Sequence, residues 1–265
     1  MNGVRPYPRT RWSADGAQGG HRDLPEETAV ALVHDATTTA VMMATPADLE
    51  DFGVGFSLTE GLVATADQIT GLEVVAADAG IEVRMWLRQP ASVALAARRR
   101  HLAGPTGCGL CGLDSLAEAT RAPPRVARGF SVSPQDIHAA MAALSPAQAL
   151  GAATRAVHAA AWWTPDSGIV ALREDVGRHN ALDKLAGALA RAAVPTQDGL
   201  LLLTSRVSVE MVQKACVMGA QVLVAVSAPT ALAVRTAEAA GMTLVAVARD
   251  DGFEVFAGAE RIVFD

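Results

Sequence analysis

The second half of the chain alternates between short, wholly apolar runs and longer stretches in which apolar residues recur at helical spacing. Leu200-Leu201-Leu202-Leu203 and the run 222–226 have the length of buried strands, and amphipathic stretches separate them. The predicted helices cover 180–192, 209–218 and 232–240, and the predicted strands cover 154–163, 169–172, 200–204, 222–226 and 243–247. Strands alternating with helices predict an α/β domain with a largely parallel sheet.

The first half of the chain has shorter β-prone runs around turn-forming residues. The predicted strands cover 27–34, 37–43, 72–76 and 81–87. Between the two pairs, Pro46 and the acids that follow it predict a helix over 46–62 with Thr45 as its N-cap. This pattern indicates a smaller N-terminal region of the α+β type.

Polar and glycine-rich segments divide the chain. Residues 1–24 are rich in Gly, Arg and Pro and predict a flexible leader. The segment 121–129 contains Pro123-Pro124 and predicts a linker. The sequence therefore predicts an N-terminal region over 25–128, which ends in a cysteine-containing loop, and a C-terminal domain over 129–265.

Composition narrows the class of protein. Hydrophobic residues make up 51% of the 265 residues and charged residues 19%, so a sizeable core can form. The net charge of −6 argues against non-specific nucleic-acid binding. No apolar run reaches the length of a membrane span, and the first 20 residues lack the apolar segment of a secretory signal. With only three cysteines and no disulfide framework, a cytoplasmic protein with functional thiols is predicted.

Two of the three cysteines form the glycine-flanked pair Gly107-Cys108-Gly109-Leu110-Cys111-Gly112. Two thiols at this spacing can bind a metal or exchange sulfur and electrons, and the pair alone does not decide between these uses. A zinc finger or ribbon needs a second ligand pair, which the sequence lacks, so no zinc is expected. Cys216 lies in a helical pattern and is predicted to be a buried apolar residue.

Polar groups follow the carboxyl ends of several predicted strands. The densest is Arg173–Lys184, in which Arg178, His179 and the free amides of the helix start can bind phosphate or a purine-like ring. Helix capping by Asp175 or Asn180 accounts for only one or two of these residues. Further groups are Thr204–Glu210, Ser227–Thr230 and Val247–Gly252. Because such ends meet at one edge of a parallel sheet, a shared crevice is predicted.

With these residues in view, the chain resembles the formate dehydrogenase accessory sulfurtransferase family (FdhD/NarQ). The resemblance includes Thr45–Phe52, Thr59-Glu60-Gly61, Cys108–Gly112 and Ser227-Ala228-Pro229, in the family's order. The block Glu174–Lys184 is the most specific of its motifs. The resemblance implies a homodimeric α/β protein whose C-terminal domain is similar to a cytidine deaminase without its zinc chemistry.

The resemblance also implies a cytoplasmic sulfur carrier. Such proteins take sulfur from a cysteine desulfurase as a cysteine persulfide and transfer it to the molybdenum cofactor, bis-molybdopterin guanine dinucleotide, before insertion into formate dehydrogenase. Cys108 corresponds to the family's carrier cysteine, and Cys111 is expected to assist the transfer. The residues expected to bind the cofactor are Val247, Ala248, Arg249, Asp250, Asp251, Gly252, Arg178, His179, Asn180, Ser205, Arg206 and Ser208. Neither nucleic acid nor a membrane is expected as a partner.

The chain departs from the family pattern at three places. Arg155 and Ser205 stand where the family usually has glycine, and Asp250-Asp251 stand where it tends to be glycine-rich and more basic. Two rival functions remain open. One is a CxxC dithiol oxidoreductase, and the other is a cofactor-binding chaperone without sulfur transfer, which these departures suggest.

Overall fold

The computed structural model of the chain describes residues 3–89, 91–93 and 122–264, which form three β-sheets and six α-helices. The first sheet is a long antiparallel hairpin of β1 (Val4–Ser13) and β2 (Gly16–Pro25). The sequence predicts a flexible leader over 1–24, so this hairpin is a correction. Gly19, Gly20 and three prolines are residues with low strand propensity, so the propensities of this segment do not predict strands.

The second sheet is four-stranded, with the order β4-β3-β6-β5. Its strands are β3 (Thr28–His34), β4 (Thr37–Ala44), β5 (Ile69–Ala77) and β6 (Gly80–Leu87), which confirms the predicted strand pairs. Helix α1 (Leu49–Thr59) covers one face of this sheet and buries Phe52 and Phe56 against Val83 and Met85. The predicted N-cap is wrong: Asp48 precedes the helix in a left-handed conformation, without a side-chain cap bond.

The third sheet is six-stranded, with the order β12-β11-β10-β9-β7-β8. Its strands are β7 (His158–Thr164), β8 (Gly168–Asp175), β9 (Leu200–Leu203), β10 (Val222–Ala225), β11 (Thr243–Arg249) and β12 (Gly252–Ala257). Only β9, β10 and β11 run parallel to one another, and the other three pairings are antiparallel. The predicted largely parallel sheet is therefore wrong, and the sheet is mixed. Tight turns join β7 to β8 and β11 to β12, and such turns can join only antiparallel strands.

Helices lie on both faces of the six-stranded sheet. Helices α4 (Arg178–Arg191), α5 (Val209–Val217) and α6 (Ala231–Ala240) bury their apolar sides in one cluster, together with Leu201, Leu203, Leu223 and Leu244. Helix α2 (Pro134–Ala147) packs on the opposite face, and the short α3 (Ala149–Thr154) follows it. The fold is thus mixed α/β, and the likeness to a cytidine deaminase stays a prediction.

The boundary between the two predicted regions is crossed by close contacts. The sequence assigns residues up to 128 to the N-terminal region, but Val126 is buried in the C-terminal core and its N–H donates to the carbonyl of Ala240 at 3.0 Å. Helix α1 in turn packs along α4. The two regions therefore fold against each other.

Two glycines allow α1 and α4 to cross at unusually short distance. A Cβ atom at Gly55 would lie 1.6 Å from the carbonyl oxygen of Asp183, and a Cβ atom at Gly187 would lie 1.9 Å from the carbonyl oxygen of Asp51. Real Cβ atoms do not approach backbone atoms this closely, so only glycine permits the crossing. The crossing joins the N-terminal sheet to the C-terminal domain.

We expect Gly187→Ala to separate the two helices and to lower the free energy of unfolding by about 3 kcal/mol or more, at the upper end of overpacking effects. Urea unfolding followed by circular dichroism measures this change. The control is Gly19→Ala, because no atom lies within 4 Å of a Cβ at that exposed position. Equal unfolding midpoints for wild type and Gly187→Ala would show that the crossing is not tight.

Candidate functional site

One edge of the six-stranded sheet collects the polar groups that the sequence places after strands. Strands β9, β10 and β11 are parallel, so their carboxyl ends share this edge. Strand β7 runs antiparallel to β9 and pairs Ala160 with Leu203, which brings His158 to the same edge. His158 pairs with Asp175 at the end of β8. These groups therefore lie at one edge of the sheet as predicted, although the sheet is not largely parallel, and the single shared crevice stays a prediction.

The fully buried Asp175 carboxylate organises the start of α4. Its Oδ1 accepts hydrogen bonds from the Gly177 N–H at 2.8 Å and from the Asn180 amide at 2.9 Å. Its Oδ2 accepts from the Lys184 ammonium at 2.6 Å and from the Thr45 N–H at 3.0 Å. Both carboxylate oxygens are thus used, which offsets the cost of burying the charge.

The same network reaches the end of β4. The Lys184 ammonium also donates to the Thr45 carbonyl at 2.8 Å, and the Asn180 amide donates to the Met43 carbonyl at 2.8 Å. The Thr45 hydroxyl accepts from the Val176 N–H at 3.2 Å. Thr45, predicted as a helix cap, instead joins the two regions of the chain. Asn180, predicted to bind cofactor, has both amide hydrogens committed to this network.

A second buried network lies beneath the first turn of α4. Asp183 accepts from the Thr59 hydroxyl at 2.7 Å and from the Lys214 ammonium at 2.9 Å, and Lys214 also donates to Glu60 at 2.6 Å. Burial raises the pKa of Asp183 despite the nearby ammonium. Burial alone would lower the pKa of Lys214, but the carboxylates of Asp183 and Glu60 outweigh it and keep the ammonium charged.

The polar block Arg173–Lys184 is therefore mainly structural. Glu174 accepts from the Leu150 and Gly151 N–H groups at 2.8 and 2.7 Å and holds the start of α3. Arg173 donates to Asp51 on α1 at 2.7 Å. The expectation that structural roles explain only one or two of these residues is wrong. The residues with structural partners are Arg173, Glu174, Asp175, Asn180, Asp183 and Lys184, which leaves Arg178 and His179.

Arg178 and His179 belong to a group of buried polar atoms without partners. Arg178 Nε and His179 Nε2 make no hydrogen bond within the part of the chain that the structure describes, whereas the Glu210 carboxylate interacts with the Ser208 hydroxyl and with a backbone N–H. These residues begin α4 and α5, where backbone N–H groups are also free. Ser208 is the N-cap of α5, yet its side chain makes no cap bond. The orphaned atoms of Arg178 and His179 beside these helix starts could contact a polar ligand.

His179 is neutral near pH 7. Burial, together with the charges of Arg178 and Lys214, lowers its pKa to about 4, and the opposing effect of Glu210 and Glu60 is smaller. Burial and Arg178 also lower the pKa of His158. Among the residues that begin α4, Arg178 is thus the one that carries a permanent positive charge. A neutral imidazole there can donate or accept one hydrogen bond to a ligand.

A cavity of about 330 Å³ opens at the same edge, on the α2 side of the sheet. Its floor contains Thr204, Val226 and Ala248 at the ends of the three parallel strands. Its wall and rim are formed by Met141, Leu144, Ser145, Gln148, Arg249 and Asp250. The cavity is large enough for a purine ring. Part of the predicted stretch Val247–Gly252 therefore lines a cavity.

The other predicted binding residues take different positions at this edge. Arg206 and Asp251 are exposed, whereas Ser205 is buried and its hydroxyl donates to the Arg206 carbonyl at 3.2 Å. Val247 adopts a positive φ of 52°, and Gly252 has a φ of 148°. Arg155 has a φ of 55° at the end of α3. This left-handed conformation gives a physical reason for the glycine that the family usually has there.

Of the three cysteines, the structure describes Cys216. Cys216 is 3% exposed in the core between α5 and the sheet, and burial raises its pKa to about 12. It is therefore a thiol rather than a thiolate at neutral pH, and the prediction that it is a buried apolar residue is confirmed. Cys108 and Cys111 lie outside the described residues.

Sequence reasoning missed several residues of the site. Lys214 lies one turn after Glu210 on α5, and this i, i+4 spacing has the ordinary signature of a surface ion pair, whereas Glu210 itself belongs to the predicted group Thr204–Glu210. Ser145 and Gln148 come from α2, whose place at the sheet edge no motif predicts. Lys214 carried one usable signal, since a charged residue stands on the apolar side of a helix between Met211 and Cys216.

The fold and the site define a class of protein. The crystal structure of a formate dehydrogenase accessory protein from Desulfotalea psychrophila superimposes with a TM-score of 0.78, covering 98% of this chain and all of that one, at 23% sequence identity. The chain is thus a mixed α/β protein with the fold of that accessory protein.

The chain belongs to the FdhD/NarQ family, whose sequence model matches residues 25–263. The sulfur carrier protein FdhD of Agrobacterium fabrum is 53% identical over 245 residues, covering 92% of this chain and 90% of that protein. The same-named proteins of Brucella abortus and Cupriavidus necator are 51% and 47% identical, covering 94% and 96% of this chain and 93% and 88% of those proteins. The resemblance is therefore confirmed.

Within residues 3–89, 91–93 and 122–264, no three His, Cys, Asp or Glu side chains come close enough to hold a metal ion. In that same part of the chain, no helix is both long and apolar enough to cross a membrane.

We expect His179 to make folding sensitive to acid. Its pKa is about 4 in the folded chain and about 6.5 when unfolded, so the unfolded chain binds the extra proton between these values. Stability should therefore fall as the pH falls from about 6.5 to 4, by at most about 3 kcal/mol from this group. His179→Gln should flatten the profile of unfolding free energy against pH, whereas exposed His21→Gln should leave it unchanged. A His179→Gln profile that parallels wild type would contradict the assigned burial.

Proposed function

We propose that the chain is a cytoplasmic sulfur carrier that serves formate dehydrogenase. Cys108 accepts sulfur from a cysteine desulfurase as a persulfide, and the sulfur then passes to the molybdenum cofactor, bis-molybdopterin guanine dinucleotide, before the cofactor enters the dehydrogenase. Membership of the FdhD/NarQ family and the names of the relatives support this role. A homodimer with a deaminase-like C-terminal domain completes the proposal.

The burial of Cys216 is the observation that supports the assignment of the sulfur-carrying thiol to another cysteine. Sulfur transfer needs an accessible thiolate, and the Cys216 thiol is buried with its pKa raised to about 12. The chain has three cysteines, so a carried sulfur must reside on Cys108 or Cys111.

The sulfur transfer consists of two thiol exchange steps. The Cys108 thiolate attacks the outer sulfur of the donor persulfide, the donor S–S bond breaks, and the donor cysteine leaves as a thiolate. Attack of the Cys111 thiolate on Cys108 Sγ then releases the outer sulfur as sulfide for molybdenum and leaves a Cys108–Cys111 disulfide. A cellular dithiol reductant supplies the two electrons that restore both thiols.

The sheet edge supplies the groups that such a cofactor requires. Arg178 and the free N–H groups at the starts of α4 and α5 suit a diphosphate. The cavity beside Arg249 and Asp250 suits a purine, since it has an apolar floor and polar rim. Both lie at the edge where the parallel strands end, the cavity on the α2 side and the helix starts on the α4 side, so an extended guanine dinucleotide would have to span this edge.

The alternative of a dithiol oxidoreductase is not favoured by any described contact. The alternative of a chaperone without sulfur transfer shares the nucleotide site, so only the thiol chemistry separates it from the proposal. Persulfide formation therefore decides between a carrier and a chaperone.

We expect incubation with a cysteine desulfurase and cysteine to add one sulfur atom to the chain, as measured by intact-protein mass spectrometry. Cys108→Ala should abolish the added mass, because it removes the accepting thiolate. Cys216→Ala is the matched control and should load normally, since that thiol is buried. Cys111→Ala should load but retain its sulfur. Undiminished loading of Cys108→Ala would contradict the assignment.

We expect Arg178→Gln to weaken binding of GDP, used as the probe of the guanine dinucleotide, about tenfold or more, because a charge-assisted hydrogen bond is lost. Isothermal titration calorimetry at two salt concentrations measures the affinity and should show a weaker salt dependence in the variant. Arg235→Gln, at an exposed arginine on α6, is the matched control. Equal GDP affinity in wild type and Arg178→Gln would place the diphosphate elsewhere.

A further inference from the structure

The hairpin of β1 and β2 has no structural role that the described contacts account for. Both strands are ten residues long, and all positions between their ends are exposed. An isolated two-stranded hairpin is at best marginally stable in water, because it has no face packed against a core. The hairpin also precedes residue 25, where the match to the family's sequence model begins. Its surface therefore calls for an explanation beyond the sulfur-carrier site.

One face of the hairpin is strongly basic. Residues that pair directly across an antiparallel ladder point to the same face, and the register pairs Arg5 with Leu24, Tyr7 with Arg22, Arg9 with Gly20 and Arg11 with Gln18. All four arginines of the hairpin thus share one face with Tyr7, which is 51% exposed. Asp23 pairs with Pro6 and lies on the opposite face, and Asp15 lies in the turn. We call the arginine-bearing side the basic face.

The outer half of the basic face has no acidic partner within the described chain. At the base of the hairpin, Arg5 pairs with Glu26, and Arg22 donates to the Thr154 carbonyl at 3.2 Å. Arg9 donates only to the His21 carbonyl of its own hairpin, and Arg11 has no ion pair among the described residues. The base is thus attached to the body of the molecule, whereas Arg9 and Arg11 remain available to another surface.

The rest of the chain has the complementary charge. Residues 4–25 contain four arginines and two aspartates, a net charge of +2, and the whole chain carries −6. The remainder therefore carries −8. Because the base of the hairpin is attached to its own body, the arginines of the outer half have no acidic partner among the described residues of that body. They can contact the acidic body of a second molecule.

We propose that the hairpin is an arm that docks through its basic face on a second copy of this chain. This inference rests on the homodimer in the proposed function and specifies how it assembles. In a two-fold dimer each copy gives an arm and receives one, so the contact forms twice. Strands of ten residues rise about 3.4 Å per residue and lie about 4.8 Å apart, so the outer half of one face covers roughly 170 Å². Two arms on two bodies then bury roughly 700 Å², about half of a standard stable interface, so the arms add to a contact between the two bodies.

The test is the mass of the full chain in solution, measured by size-exclusion chromatography with light scattering at micromolar concentration. We expect twice the chain mass of 27.4 kDa for the wild type. The double variant Arg9→Glu with Arg11→Glu should raise the dimer dissociation constant by roughly tenfold or more, because it places like charges against the acidic body. Arg235→Glu makes the same kind of charge change at an exposed residue of the body and should leave the dimer intact.

Two further variants test which face docks. Trp12 is 79% exposed and pairs with Ala17 on the face opposite the arginines. Trp12→Ala should therefore disturb the dimer less than Arg9→Glu with Arg11→Glu. Deletion of residues 4–25 should weaken the dimer at least as much as the charge reversal, and circular dichroism and melting check that the body is folded.

A monomeric wild type, or a dimer that survives both the charge reversal and the deletion, would overturn the proposal. A monomeric wild type that binds a cysteine desulfurase or a nucleic acid only with the arm intact would also overturn it, by assigning the arm to that partner. Sulfur loading of Cys108, measured on the same samples, separates this failure from failure of the proposed function. A dimer that does not load sulfur would contradict the proposed function but would leave the proposal that the arm docks on a second copy.

Discussion

The buried carboxylate of Asp175 is the interaction on which the arrangement of the site depends. It receives four hydrogen bonds, from two backbone N–H groups, one amide and the Lys184 ammonium. Such a charge is stable inside a protein only when both oxygens are satisfied, and removing one partner of a buried pair typically costs about 3–5 kcal/mol. Because the donors come from β4, from the loop after β8 and from α4, this one group fixes where α4 begins. The position of Arg178 and His179 at the sheet edge follows from it.

The close crossing of α1 and α4 extends this constraint through the molecule. Gly55 and Gly187 let the helix backbones meet, and Arg191 at the end of α4 donates to Asp51 on α1 at 2.5 Å. The Asp183–Lys214 network then attaches α5 to both. A scaffold of three helices thus holds two helix starts side by side, with the unsatisfied Arg178 Nε and His179 Nε2 atoms beside them.

Elements with a clear hydrophobic period could be predicted from the sequence, and elements decided by pairing or burial could not. The strands Leu200–Leu203 and Val222–Ala225 and the helices after them follow their apolar pattern. The antiparallel order of the outer strands depends on tight turns, which the period of the apolar residues does not encode. In the same way, the sequence shows that Asp175, Asp183 and Lys184 are concentrated in one block, but not that they are buried and paired. A charged block therefore looked like a ligand site, while most of its residues hold the fold together.

We propose that the chain is a carrier whose cargo moves from Cys108 to a cofactor held at the sheet edge. Its most direct test is to load the chain with radiolabelled persulfide, add the molybdenum guanine dinucleotide cofactor, and follow the label after separating protein from cofactor. We expect the label to leave the protein and to appear on the cofactor at one sulfur atom per molybdenum. Label that stays on the protein while the cofactor is bound would contradict sulfur transfer and would make the chain a cofactor-binding chaperone.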